Sequence, residues 1–162
     1  MAMMQGDHQV VVRKAKKEDE KTLLELVSSL ADYEKLDPLD DDAKERLVED
    51  GFGTDPRYVA YLAFEDEKAV GYALFFMTYS TFLARPTLYL EDIFVLEDHR
   101  KSGVGKKLFM ECIKEAKNLG CERMEWTVLD WNIKAQGFYE KLGAKPLGDW
   151  IFYRLSLDGK AN

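Results

Sequence analysis

The chain has 162 residues, 46% hydrophobic and 33% charged, with a formal net charge of −7. Those values suit one folded globular domain and exclude a disordered or collagen-like chain. The acidic balance argues against a nucleic-acid binder, which needs a basic stripe, and fits a small cationic substrate or solubility alone.

Gln9–Arg13 (QVVVR) is a β-branched run and is predicted as a strand. Lys17–Tyr33 carries Leu23, Leu24, Leu26, Val27, Leu30 and Ala31 at helical spacing. The acidic turn Asp37–Asp42 offers an N-cap for a second helix over Ala43–Glu49, which Gly51 is expected to end. Tyr58–Phe64 and Ala69–Tyr79 flank a hairpin signal at Glu65–Lys68, and Thr87–Val95 (TLYLEDIFV) is a more central strand. Gly103–Leu119 is predicted as an amphipathic helix with Val104, Leu108, Phe109, Cys112, Ala116 and Leu119 on its apolar side. A strand over Met124–Leu129, a helix over Asn132–Leu142 and a closing strand over Trp150–Leu157 complete the order βααβββαβαβ. Early hairpins and a late β-α-β crossover make an α/β mixed sheet.

Cys112 and Cys121 have no metal-ligand spacing and read as small core residues. No run approaches 18 apolar residues, and the opening stretch is too short and polar for a signal peptide, so a cytoplasmic protein with reduced thiols is expected. His8 and His99 are single, and His99 reads as an exposed loop residue.

Gly103-Val104-Gly105-Lys106 looks like the tail of a nucleotide-binding P-loop. That motif needs glycine at residue 100 and a hydroxyl after the lysine, and the chain has Arg100 and Lys107. A dinucleotide fingerprint fails at Leu108. What remains is a strand, then Arg100-Lys101-Ser102-Gly103-Val104-Gly105, then a long helix. Glycines in a first helical turn let an anion approach unpaired N–H groups at the positive end of the helix dipole. Two readings stand: a phosphate turn, or a basic turn whose glycines allow tight packing.

Arg100-x-x-Gly103-x-Gly105 after an apolar strand resembles the coenzyme A diphosphate motif of the GNAT superfamily of acyl-CoA-dependent N-acetyltransferases. The stretch from Asp130-Trp131-Asn132 to Phe138-Tyr139-Glu140-Lys141-Leu142-Gly143-Ala144 resembles a C-terminal segment of the same superfamily. Within it the chain is similar to the diamine acetyltransferases, the spermidine/spermine N1- and thialysine N-ε-acetyltransferases. The matching stretches are Leu30–Leu36, Glu49–Gly53, Tyr79–Thr81, Leu88–Val95 and Val128–Asn132. Ser80 and Val128-Leu129-Asp130-Trp131-Asn132 look like the thialysine branch; the polyamine branch carries an acid at position 80.

The resemblance implies one N-acetyltransferase domain over residues 1–162, with a GNAT-like, mostly antiparallel central sheet flanked by helices. It implies acetyl-CoA as donor, no metal, a homodimer, and direct transfer to a small primary amine. Such an amine must lose a proton, since an ammonium with a pKa of about 10.4 is no nucleophile at neutral pH. By resemblance Tyr139 is the acid at the leaving thiolate, and Glu91 is the amine-side carboxylate. From the residues alone, Tyr139 reads as a packed aromatic on an amphipathic helix. Glu91 and Asp92 are adjacent charges in an apolar strand, so they point to opposite faces unless a bulge intervenes. Asp92 reads as a structural partner for a nearby donor.

The resemblance places backbone groups of Ile93, Phe94 and Val95 along the pantetheine arm, with the diphosphate on Arg100, Lys101, Ser102, Gly103, Val104, Gly105 and Lys106. Asn132 and Ala135 would hold coenzyme A from another side, although Asn132 is as well explained as an N-cap. Tyr33, Glu34, Glu125, Trp126, Thr127 and Asp149 are the remaining substrate-side positions. A peptide or protein N-acetyltransferase and a non-catalytic acyl-CoA-binding module stay open as alternatives.

Overall fold

A computed structural model describes residues 9–159, so His8 and the opening stretch lie outside the described residues. The chain divides into two compact units, residues 1–126 and 127–162.

The first unit is built on a five-stranded sheet in the order β1-β2-β3-β4-β5. Its strands are β1 (Val10–Lys14), β2 (Val59–Glu65), β3 (Lys68–Ser80), β4 (Arg85–Val95) and β5 (Met124–Glu125). The first four pair antiparallel, and β5 joins β4 in parallel through Leu88↔Met124 and Tyr89↔Glu125. The β2–β3 hairpin turns at Asp66 and Glu67, both at positive φ, as a tight hairpin turn requires. Between the strands run α1 (Glu20–Glu34), α2 (Asp41–Phe52) and α3 (Val104–Asn118).

Strand alternation sends β3 side chains to two covered faces, which is why the middle of that strand is almost continuously buried. On one face Tyr72 and Leu74 join Leu62, Phe94 and the α1 residues Leu23 and Leu26. On the other, Tyr61 stacks on Phe75 and Leu108 of α3 reaches Gly71. The α3 stripe Val104, Leu108, Phe109, Cys112 and Ala116 is buried as its periodicity predicts, while Leu119, past the helix end, is 46% exposed. Cys112 is a core residue, and burial pushes its thiol up to about 12. Cys121 is only partly buried and lies 3.6 Å from the Met77 sulfur.

Asp40 caps α2, its carboxylate accepting from the Ala43 N–H at 2.7 Å. Gly51 does not end that helix; the chain continues to Phe52, and Gly53 is the cap. A side chain at Gly51 would collide with the ring of Tyr58, whose hydroxyl donates to the Leu47 carbonyl. Gly51 is there for close approach, not for termination.

In the second unit, α4 (Ile133–Lys141) is capped by Asn132, whose side chain accepts from the Ala135 N–H at 3.1 Å. The expected closing strand over Trp150–Leu157 is absent: these residues pair with no strand among those described, and Ile151, Phe152, Tyr153, Leu155 and Leu157 are all exposed. The observed order therefore ends at α4. Alternation marks a segment that can pleat, but a strand exists only where a ladder partner takes up its N–H and C=O groups. Among the described residues no helix is long and apolar enough to cross a membrane.

Candidate active site

Glu91 and Asp92 occupy a β-bulge. In the β3–β4 ladder Phe75 pairs with Leu90 and Leu74 with Asp92, so Glu91 is the extra residue. The bulge that sequence left as an alternative to opposite faces is present at the carboxylates themselves. Glu91 is exposed, whereas Asp92 sits on the α1 face, where the buried Tyr72 hydroxyl donates to its Oδ2 at 2.9 Å. Asp92 is thus the structural partner its position suggested, and the donor is Tyr72.

Glu34, the last residue of α1, belongs to the same patch. Burial, then the field of Glu91, raises its carboxyl above the ordinary range. Burial pushes Asp92 up to about 6, with Glu91 and Glu34 acting in the same direction and the Tyr72 hydrogen bond against them. Tyr72 in turn is raised by burial and by Asp92, Glu34 and Glu91. Glu91 acts on Glu34, and both act on Asp92, so α1 and the bulge bring carboxyls together in an arrangement a cation would relieve.

Beyond the bulge the second side of β4 pairs with no strand among the described residues, because β5 pairs only with Leu88 and Tyr89. The Leu96 N–H donates to the Val70 carbonyl at 2.8 Å, toward β3. By strand alternation Phe94 also turns its backbone groups to β3, and Ile93 and Val95 turn theirs to the open side. Phe94 therefore joins this site by its buried side chain rather than by its main chain. The Val95 carbonyl accepts from Arg100 Nε at 2.8 Å, and the Arg100 guanidinium lies 4.6 Å from the Tyr33 ring centroid and 5.4 Å from that of Phe94.

The turn that follows is held from below. His99 Nδ1 bonds to Glu65 Oε2, and Ser102 Oγ donates to the His99 carbonyl at 2.8 Å. His99 is thus a partly buried anchor of the turn to the end of β2, not an exposed loop residue. Lys101 and Gly103 both take left-handed conformations, with φ of 68° and 85°. Gly103 is the N-cap of α3 without a side-chain cap, so the first-turn N–H groups of Val104, Gly105 and Lys106 are left for an outside acceptor. No heavy atom comes within 4 Å of where a Gly103 Cβ would stand. Beside it runs a groove of about 490 Å³ lined by Val10, Val12, Gly103, Lys106, Lys107, Met110 and Glu111. Open backbone donors flanked by Lys101, Lys106 and Lys107 fit a diphosphate.

Other expected residues lie elsewhere or act differently. Strand β5 stops at Glu125, so Trp126 and Thr127 are not strand residues; Trp126 meets Phe109 edge-on at 5.4 Å. Glu125 is taken by Arg123 at 3.0 Å. Ser80 is buried and accepts from the Leu83 N–H at 3.2 Å, a turn-forming role. In the second unit Tyr139 stands on α4 with its ring 5.3 Å from that of Phe138, and Asp149 is exposed. Among the described residues no group of His, Cys, Asp or Glu could hold a metal ion. Sequence reasoning missed Tyr72 and Glu65. A tyrosine hydroxyl within the apolar run of β3 was the available signal, since a buried phenol needs a partner.

Residues 21–144 match the acetyltransferase (GNAT) family. The chain is 37% identical over 156 residues to a thialysine N-epsilon-acetyltransferase of Bos taurus, covering 90% of this chain and 91% of that one. It is 44% identical over 93 residues to an L-ornithine N5-acetyltransferase of Arabidopsis thaliana, covering 57% of this chain and 41% of that protein. An aminoglycoside N-acetyltransferase solved in complex with CoA shares the fold, with a TM-score of 0.78 at 24% identity over 94% of this chain and 99% of that one. The family match over residues 21–144 and the 37% identity along nine-tenths of both chains show that the chain belongs to the acetyltransferase (GNAT) family and is an N-acetyltransferase.

Proposed function

We propose that the acceptor is a small primary amine: thialysine, a lysine-like amino acid, or a diamine or polyamine. In this reading residues 1–162 act as one domain, in the cytoplasm as the sequence's lack of a long apolar run suggested, and as a homodimer, which is carried over from the resemblance alone. The observation that carries it is the Glu34–Glu91–Asp92 cluster at the bulge beside the free edge of β4. A partly dry anionic wall beside outward-facing backbone donors selects a cation and offers N–H groups to a carbonyl. Relatives named for thialysine and L-ornithine support an amine on an amino-acid side chain.

When bound, acetyl-CoA supplies an acetyl group activated as a thioester. Backbone N–H groups of Val104, Gly105 and Lys106, with Ser102, Lys101 and the Lys106 ammonium, would hold its diphosphate; the resemblance also counts Asn132 and Ala135 among its contacts. Exposed at the bulge, Glu91 receives the ammonium and takes its proton directly or through water, which frees the nitrogen lone pair. Asp92, held by Tyr72, and Glu34 strengthen the hold on the cation as they ionise. The outward N–H of Ile93 or Val95 is aimed at the open edge, where it can donate to the acetyl carbonyl oxygen. Tyr139 is the proposed acid that returns a proton to the departing sulfur.

The test is an acetylation panel of thialysine, lysine, ornithine, putrescine, spermidine and spermine, followed by coenzyme A release. Turnover with one or more of these supports the reading. Transfer only to peptide amines would move the acceptor to a protein, and coenzyme A binding without any transfer would make the chain a binding module.

A further inference from the structure

Arg100 opens the stretch that leads into the glycine turn, and its charge suggests a ligand for the donor's diphosphate. Its side chain is engaged elsewhere. Nε donates to the Val95 carbonyl at 2.8 Å, and the guanidinium carbon lies 4.6 Å from the Tyr33 ring centroid and 5.4 Å from that of Phe94. The two rings stand 6.1 Å apart at 47°. Three pieces of chain therefore meet at one guanidinium: the C-terminal end of α1, the last residues of β4, and the loop that becomes the glycine turn.

Each contact has a consequence for one substrate. Tyr33 precedes Glu34, so whatever fixes its ring fixes the end of α1, where Glu34 faces Glu91 and Asp92. The Val95 carbonyl faces the open edge of β4, and a donor on it leaves the neighbouring N–H groups as what that edge presents to a carbonyl. Only a flat cation can lie across two aromatic faces and donate in its own plane; an ammonium is a point charge with neither property.

We propose that Arg100 is a positioning residue that ties the amine wall to the donor edge, rather than a ligand for the donor's diphosphate. Holding the diphosphate then falls to the turn's backbone and to Lys101 and Lys106. This rests on the acetyl-transfer reading above and adds to it a residue that couples the two binding surfaces.

The experiment uses the full chain with Arg100→Lys and Arg100→Gln, measuring amine KM, kcat and coenzyme A affinity by calorimetry. Both variants should raise the amine KM roughly tenfold, the size of one lost cation–π contact, because lysine keeps the charge but not the plane. Coenzyme A affinity should stay within about twofold of the parent. A loss of coenzyme A affinity of about tenfold in Arg100→Gln that lysine restores, with amine KM unchanged, would make Arg100 a diphosphate ligand and overturn the proposal. A second arm combines Arg100→Lys with Tyr33→Leu and follows Tm and amine KM. Non-additive effects on Tm support the brace, and additive ones count against it. Should the parent acetylate no amine, the transfer reading fails, while coenzyme A affinity and the Tm cycle still decide the role of Arg100.

Discussion

The two ends of the segment from Glu91 to Lys106 handle charge in opposite ways. At the bulge, side chains do the work: Glu34, Glu91 and Asp92 come from two elements, crowd one another, and raise the energy of ionised Asp92. At the turn the main chain does it, with first-turn N–H groups of α3 opened by a left-handed Gly103. A side-chain site depends on what tertiary packing brings alongside, so it tunes readily for a new acceptor. A backbone site depends on local φ and a few glycines, so it suits a donor group that does not change. Arg100 sits between them, its main chain leading into one and its side chain folded back toward the other.

Substitutions can break this division of labour. The largest effect is expected from Tyr139→Phe, which should touch neither binding surface and lower kcat on the order of a thousandfold, with coenzyme A affinity and amine KM little changed. Steady-state kinetics with calorimetry reads this, and unchanged turnover removes Tyr139 from proton transfer. Glu91→Gln should reduce amine kcat/KM about a hundredfold and leave coenzyme A binding intact; a matching loss of coenzyme A affinity would show that the two ends are not separable.

Gly103→Ala addresses the other end. A left-handed residue with a Cβ costs about 1–2 kcal/mol, so coenzyme A should bind about tenfold more weakly with amine recognition preserved. Because nothing lies within 4 Å of that Cβ, the penalty is conformational and not steric. Gly103→Asn, which tolerates the left-handed region, should recover part of the affinity.

The smallest and sharpest effect is on pH dependence. Asp92 ionises near 6, faced by Tyr72 from β3, Glu91 on its own strand and Glu34 from α1. Amine kcat/KM should therefore rise through an acid limb there as the anionic wall forms. The Tyr72 hydroxyl favours the ionised form, so Tyr72→Phe should move that limb upward by about one pH unit. Coenzyme A affinity should not follow, and a limb that stays put would separate Tyr72 from the amine site.

Much of this was legible along the chain because its causes are local. The α3 stripe, the hairpin at Asp66–Glu67, the Asp40 and Asn132 caps and the glycine turn all follow from neighbours a few residues apart. The carboxylate pair left two arrangements open, opposite faces or a bulge, and the ladder shows a bulge at Glu91. Less was legible where the cause is a partner far off in sequence. Gly51 resembled a terminator until Tyr58 showed why a side chain is excluded there, and His99 resembled an exposed residue until Glu65 met it. Residues 150–157 alternate like a strand, yet they have no ladder partner among the described residues.

Residue order alone was thus enough to place the glycine turn at the start of α3, since glycine, charge and a helix start are written in consecutive positions. The carboxylate cluster could not be read that way. Its carboxyls titrate as they do because α1, β3 and β4 converge, and the ionisation of Asp92 is set by burial and by charges 58 residues apart in the case of Glu34. The destination of Arg100 is of the same kind: its type promised a phosphate, and packing against Tyr33 and Phe94 gave its side chain other neighbours.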